Sequence, residues 1–290
     1  MNHSKTTKIY ASLVGALLLT ACNPHDPIYG TDHPHQGRID QLTTDWTACT
    51  GDLPDSYSVR IDNNKSILSG NVNQFNRLLD PGSYTVYLFN ESTDVAVVGN
   101  TAIVRPNSVT SRADNPFITP LPEWFYTSHQ DITLLADQDY DLSMRMEQQM
   151  RQVTLVLTIL PVADITDLSA ILEGVAGSMD FVAGTYGTPS AVPLSFTRQT
   201  DGTWTVAIRL LGFLTDSGAS FAPLRGTITF AGGYQTTFES DLSELFAGFN
   251  SAKNQPLTLR SEIELERTAS GFSATIAPWE KITDGTAIAD

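Results

Sequence analysis

The sequence predicts an all-β protein built as two tandem β-sandwiches, and three observations carry that reading. Short runs that alternate apolar and polar residues fill the chain from Gly37 onward. Turn-forming pairs such as Pro81-Gly82, Asp201-Gly202 and Gly232-Gly233 separate those runs. Midway the alternation changes side: Leu142, Met144 and Met146 occupy even positions, whereas Val153, Leu155, Leu157 and Ile159 occupy odd ones. A period-two pattern cannot change faces within one straight strand, so the polar run Glu147 to Gln152 marks a domain boundary, with a single bulged strand as the alternative.

The chain opens with a targeting segment. Lys5 and Lys8 precede an apolar run from Ile9 to Leu19, and small residues follow, so residues 1–21 read as a secretory signal. The run is shorter than the roughly 20 apolar residues a bilayer-spanning helix needs. Leu19, Thr20 and Ala21 stand directly before Cys22, an arrangement that resembles the bacterial lipobox. That resemblance implies a diacylglycerol-modified Cys22 at the mature N-terminus, and two or more acyl chains suffice for stable membrane attachment. An ordinary signal with a coincidental Cys22 is the competing reading. With Cys22 consumed, Cys49 has no partner for an intrachain disulfide and is expected to pack as a small hydrophobe.

Residues 22–36 are rich in proline and lack apolar periodicity, so they are expected to form a flexible tether. The spacing of His25, His33 and His35 beside Asp26 and Asp32 fits no closed metal site, and solvated tether is the better reading.

The sandwich elements follow in order, the first over residues 37–147 and the second over 148–290. In "YSVRI", Tyr57, Val59 and Ile61 share a face, and "DNNKS" turns the chain into the next strand. In "LLDPGSYTVYLFN", Tyr84, Val86 and Leu88 lie on one face and Tyr87 and Phe89 on the other, predicting a strand covered on both sides. The stretch from Arg105 to Pro122 holds four prolines and reads as a long loop or irregular edge. The second half repeats the style in "FTRQTDGTWTVAIRLL" and "LRGTITFAGGYQTTFES". One helix is expected at "SDLSELFAGFN", where Asp241 and Glu244 resemble a capping box and Leu242, Leu245, Phe246 and Phe249 keep helical spacing.

Composition narrows the function classes. The chain carries a formal charge of −15, which becomes −17 once residues 1–21 leave with two lysines and no acidic residue. Such a surface repels phosphate backbones, so nucleic acid is not expected as a partner. No zincin, nucleophile-elbow, Walker or dinucleotide motif occurs, and neither an enzymatic activity nor a cofactor is expected. Asp137, Asp139 and Asp141 copy the start of a calcium loop, but Leu142 and Gln148 replace its glycine and glutamate, so no metal is expected there. Glu262, Glu264 and Glu266 line one face of a strand and read as a solvated side. Trp46, Trp124, Trp204 and Trp279 are read as core residues in preference to a sugar-stacking platform. His129 is the only histidine beyond residue 21 that lies outside the tether, so histidine acid-base chemistry is not expected.

Taken with the lipobox, the segments "LTTDW", "LLDPGSYTVYLFN", "MRQVTLVLTI" and "FSATIAPWEKI" resemble the lipid-anchored fimbrial subunits of Bacteroides-like bacteria, the fimbrillin-associated anchor proteins and their relatives. The resemblance implies transthyretin-like sandwiches, attachment to the outer membrane through the N-terminal lipid, and assembly with other fimbrial subunits by β-strand exchange. It further implies an anchor that keeps its first strand, where stalk subunits are clipped at a basic residue and lose it. Residues 37–46 would be that strand, bulged because Ile39 and Leu42 do not alternate cleanly, with Arg38 and Arg60 as candidate processing sites. Phe272, Ala274 and Ile276 form the candidate face of a donated strand, or equally of an ordinary last strand. A carbohydrate-binding surface lipoprotein for glycan uptake and a protease-processed stalk or tip subunit are the alternative readings.

Overall fold

The computed structural model describes residues 35–107, 115–161, 164–215, 220–269 and 271–282, and the lipobox at residues 19–22 lies outside them. The first half forms β1 (Gly37–Asp45), β2 (Tyr57–Ile61), β3 (Asn64–Leu68), β4 (Val72–Leu79), β5 (Gly82–Phe89), β6 (Val95–Val98), β7 (Thr101–Val104), β8 (Tyr126–Leu134), β9 (Asp139–Arg145) and β10 (Glu147–Gln148). A three-stranded sheet, β4-β1-β9, packs on a five-stranded one, β10-β8-β5-β2-β3. Their shared core joins Ile39, Leu42 and Met144 to Tyr57, Val59, Val86 and Leu88. In β1 the register slips between Ile39 and Gln41 against both neighbours. That bulge lets an odd-numbered isoleucine and an even-numbered leucine point the same way.

The hairpin β6-β7 departs from the first sandwich although its sequence lies within it. β7 pairs with the second half's long strand from Thr101 opposite Asp180 to Ile103 opposite Ser178. Val95, Ala102 and Val104 are buried in the second core. The cause begins in β5, whose two faces are both apolar. Val86 and Leu88 point into the first core, while Phe89 meets Phe181 of the second at a ring separation of 6.5 Å. The chain therefore leaves β5 already lying on the second sandwich.

The second half forms β11 (Arg151–Leu160), β12 (Ile165–Asp180), β13 (Thr185–Ser195), β14 (Thr197–Arg198), β15 (Trp204–Leu210), β16 (Pro223–Phe230), β17 (Gln235–Asp241), β18 (Leu257–Thr268), β19 (Gly271–Ile276) and β20 (Glu280–Ile282). One sheet runs β14-β15-β11-β18-β19, with β20 also on β18, and the other runs β17-β16-β12-β7-β6, with β13 also on β12. The change of parity has a physical basis here: Leu142, Met144 and Met146 fill the first core, and Val153, Leu155, Leu157 and Ile159 fill the second.

The helix expected at residues 240–250 does not form. The segment is a chain of turns ending in a short 3-10 helix, Phe249–Ser251, and no α-helix occurs among the described residues. Asp241 caps the first turn by accepting from the Ser243 backbone N–H at 3.0 Å. Gly248 then adopts a left-handed conformation, φ 72°, that ends any helical run. The helical spacing instead serves packing: Leu242, Phe246 and Phe249 are fully buried, and Phe246 stacks on Phe213 at 4.8 Å.

Candidate functional surfaces at the first strand and the domain junction

β1 lies in the middle of its sheet, antiparallel to β4 and parallel to β9. Ile39 and Leu42 are each only 1 % exposed. Beyond the strand, Trp46 meets Tyr57 and Tyr126 edge-on at 5.9 and 5.5 Å, and its indole N–H donates to the Thr44 hydroxyl at 2.9 Å. The strand is thus held by two ladders and by the core beneath it.

The two candidate processing arginines sit in strands with their side chains engaged. Arg38 forks onto Asp139 of β9, Nε to Oδ1 at 3.0 Å and Nη2 to Oδ2 at 2.7 Å. These hydrogen bonds hold the Asp139 carboxyl below the usual carboxylate range. Arg60, on β2, reaches across to the turn of the β6-β7 hairpin, donating to the Gly99 carbonyl and to Asn100 Oδ1. Its guanidinium also lies 4.5 Å from the centre of the Tyr87 ring. Arg60 therefore ties the first sandwich to a hairpin whose own strands belong to the second.

At the other end of the chain, β19 completes its own sandwich. It pairs antiparallel with β18, and Phe272, Ala274 and Ile276 turn half-buried against the second core. Phe272 stacks on Phe230 at 4.8 Å. The run from Phe272 to Ile282 is not one strand, because the chain breaks before β20 and buries Trp279 in between.

The remaining candidates divide simply. Cys49 is half-buried against the first core, and burial pushes its thiol up to about 11. Trp46, Trp204 and Trp279 are buried. Trp124 is partly buried, with the Arg209 guanidinium 4.5 Å from its ring centre, so no pair of exposed coplanar rings exists among these four. Glu264 and Glu266 project to solvent from β18 and Glu262 is half-buried, while Ile263 and Leu265 point inward. Among the described residues no group of three or more His, Cys, Asp or Glu side chains is placed to hold a metal ion.

The domain junction holds residues that the sequence reading missed. The polar run Glu147 to Gln152, expected as the domain boundary, buries Gln148, Gln149 and Arg151 to 6, 4 and 9 % exposure. Gln148 Oε1 accepts from the backbone N–H groups of Thr50 and Gly51 at 2.9 and 3.0 Å. Its Nε2 donates to the carbonyls of Met150 and Lys253 at 2.8 and 2.7 Å. Gln149 donates to Thr127 Oγ1 and accepts from Lys253 Nζ, both at 2.8 Å. Arg151 Nε donates to the Gln255 carbonyl at 2.6 Å, and its guanidinium lies over the Phe249 ring. The two adjacent amides thus satisfy polar partners from both domains without carrying charge. The available signal was Met150, an apolar residue in the middle of the polar run.

The fold is similar to that of solved β-rich proteins from Bacteroidales. An adhesin-like protein from Bacteroides ovatus superposes with a TM-score of 0.58 at 12 % identity, over 81 % of this chain and 92 % of that one. A second from Bacteroides ovatus gives 0.56 at 11 % identity, over 87 % and 96 %. The fimbrial anchor protein Mfa2 from Porphyromonas gingivalis gives 0.51 at 12 % identity, over 83 % and 96 %. No protein-family model matches the sequence, and no curated protein matches it significantly. The likeness is therefore one of fold, spanning nearly the whole of each neighbour.

Proposed function

We propose that this protein is a non-enzymatic fimbrial subunit of the cell surface, and within that class the lipid-anchored base that holds a strand-exchange fimbria on the outer membrane. The fold shared with adhesin-like and fimbrial anchor proteins supports the class. The observation that carries the anchor reading is β1, built into the centre of its sheet between β4 and β9. An anchor must keep this strand, because the lipid on Cys22 connects to the body through it. Shedding β1 would strip Ile39 and Leu42 from the core and leave β4 and β9 without their common neighbour. Engagement of Arg38 and Arg60 in strand pairing and hydrogen bonds works against cleavage there, since a protease needs an extended, accessible segment. The buried tryptophans weigh against an aromatic platform for glycan uptake.

Intact mass spectrometry of the protein from its native membrane tests the reading. A mass comprising acylated Cys22 and the chain to Asp290 is expected. A delipidated chain beginning after Arg38 or Arg60 would reassign the protein as a processed stalk or tip subunit.

A further inference from the structure

Between the two sandwiches, beside the buried amides, lies a cleft of about 720 Å³. Its walls come from both domains: His129, Arg145 and Gln149 on one side, and Tyr186, Lys253 and Asn254 on the other. We propose that this cleft binds an acidic saccharide, a sugar bearing a ring carboxylate, with Lys253 as the cationic group that receives the carboxylate.

Charge is the first argument. The chain as a whole is strongly acidic, at −15, yet the cleft sets Arg145 and Lys253 against Glu147 as its single carboxylate. A locally cationic, walled recess on an anionic surface focuses field toward an anionic ligand. Lys253 is also one of only three lysines beyond residue 21.

The second argument is how Lys253 is held. Its Nζ donates to Gln149 Oε1 at 2.8 Å and contacts Met179 Sδ at 3.1 Å, and it lies 5.2 Å from the centre of the Tyr186 ring. A thioether accepts weakly. No carboxylate among the described residues lies within ion-pair distance of it. A half-buried ammonium with no ion-pair partner within reach is disfavoured, and burial pulls its pKa down to about 7, with Glu147 opposing the shift more weakly. An incoming carboxylate supplies the missing charge and reverses that shift.

The third argument selects the ligand. Besides the cations, the lining carries the exposed amide of Asn254 and the hydroxyl of Ser251, with the Tyr186 ring. Amides and hydroxyls match the ring hydroxyls of a sugar, and the volume falls within the roughly 300–1,000 Å³ of ordinary small-ligand pockets.

The test is calorimetric titration of the full mature chain with galacturonic acid trisaccharide, using galactose trisaccharide as the neutral match. At about pH 6 the uronate should bind in the millimolar range or tighter, and at least about tenfold more tightly than the neutral sugar. Lys253→Met should lose about tenfold, while Arg145→Ala, an exposed change that leaves the junction intact, should lose about threefold. Affinity should weaken between about pH 6 and 8.5 as Lys253 deprotonates. The other titratable groups facing it are Glu147, Arg145, His129 and Tyr186, and of these the uronate's affinity for the Lys253→Met protein should report only what remains. Equal affinity for the neutral sugar, absence of uronate binding at about pH 6, or unchanged binding by a folded Lys253→Met protein would overturn the proposal. So would equally tight binding of a short peptide through its free C-terminal carboxylate, which would make the occupant a polypeptide.

Discussion

The two sandwiches use the same central arrangement at different widths. In each, the strand that opens the domain lies between an antiparallel and a parallel neighbour: β4-β1-β9 in the first and β15-β11-β18 in the second. In the second, the sheet continues through β14, β19 and β20; in the first, it stops at three strands. β11 is thus one member of a broad sheet, whereas β1 alone connects the two edges of a narrow one. Each opening strand is the one link between the two halves of its sheet, but loss of β11 would leave paired strands on either side, whereas loss of β1 would leave β4 and β9 as single strands.

That contrast can be broken most severely at Leu42. Leu42→Asp places a carboxylate in the core beneath β1, at a cost above about 4 kcal/mol, and the first sandwich should unfold while the second persists. Limited proteolysis checks the outcome. The resistant fragment should begin before Val95, because the β6-β7 hairpin belongs to the second core; a fragment beginning after Gln148 would contradict the hairpin's placement. Phe213→Ala, in the larger core, should cost about 3–5 kcal/mol by denaturant unfolding, through the loss of its contacts with Phe221, Phe246 and Phe249. Gln148→Ala, at the joint between the domains, should cost about 1–3 kcal/mol, since it strips partners from part-buried backbone groups on both sides.

Smaller effects sharpen the comparison further. The depressed pKa of Lys253 means that the unfolded chain binds a proton that the folded chain lacks between about pH 7 and 10.5. Stability should therefore rise with pH across that window and be insensitive to this group below it. Melting curves of Lys253→Met should lack that rise. Arg38→Ala should change the midpoint least, because the pair with Asp139 is exposed. Its small contribution exists above the ordinary carboxylate range, so variant and parent should converge as the pH falls through the depressed pKa of Asp139. A large loss at neutral pH would mean that this pair, and not the core beneath, fixes β1.

Much of the fold was legible because period-two alternation is a local property. Tyr57, Val59 and Ile61 point inward, the turns at Asp201-Gly202 and Gly232-Gly233 fall at hairpins while Pro81-Gly82 carries the chain from one sheet to the other, and both faces of β5 are covered as its sequence requires. The β6-β7 hairpin was not legible, because nothing in Val95 to Val104 specifies which of two sheets its edge will join. The segment at residues 240–250 misled for a related reason. Apolar residues at helical spacing also satisfy a run of turns, and Gly248 decides between them. Of the candidate site residues, Arg38, Arg60 and the β19 face could be named, but the partners of Arg38 and Arg60, Asp139 and Gly99, lie far away in sequence. The polar junction was hidden for the opposite reason: glutamines in a row look solvated until a second domain is brought against them.

The placement of β1 also bears on mechanical load. A force that enters the body at Gly37 and runs along β1 must shear the ladder to β4 and the ladder to β9 together, since both lie parallel to the pull. Hydrogen bonds loaded side by side share the force, whereas those at a peeled edge break one after another. Resistance to pulling is a matter of unfolding rate more than of equilibrium stability. A body of this kind would withstand drag through the direction in which its first strand is held.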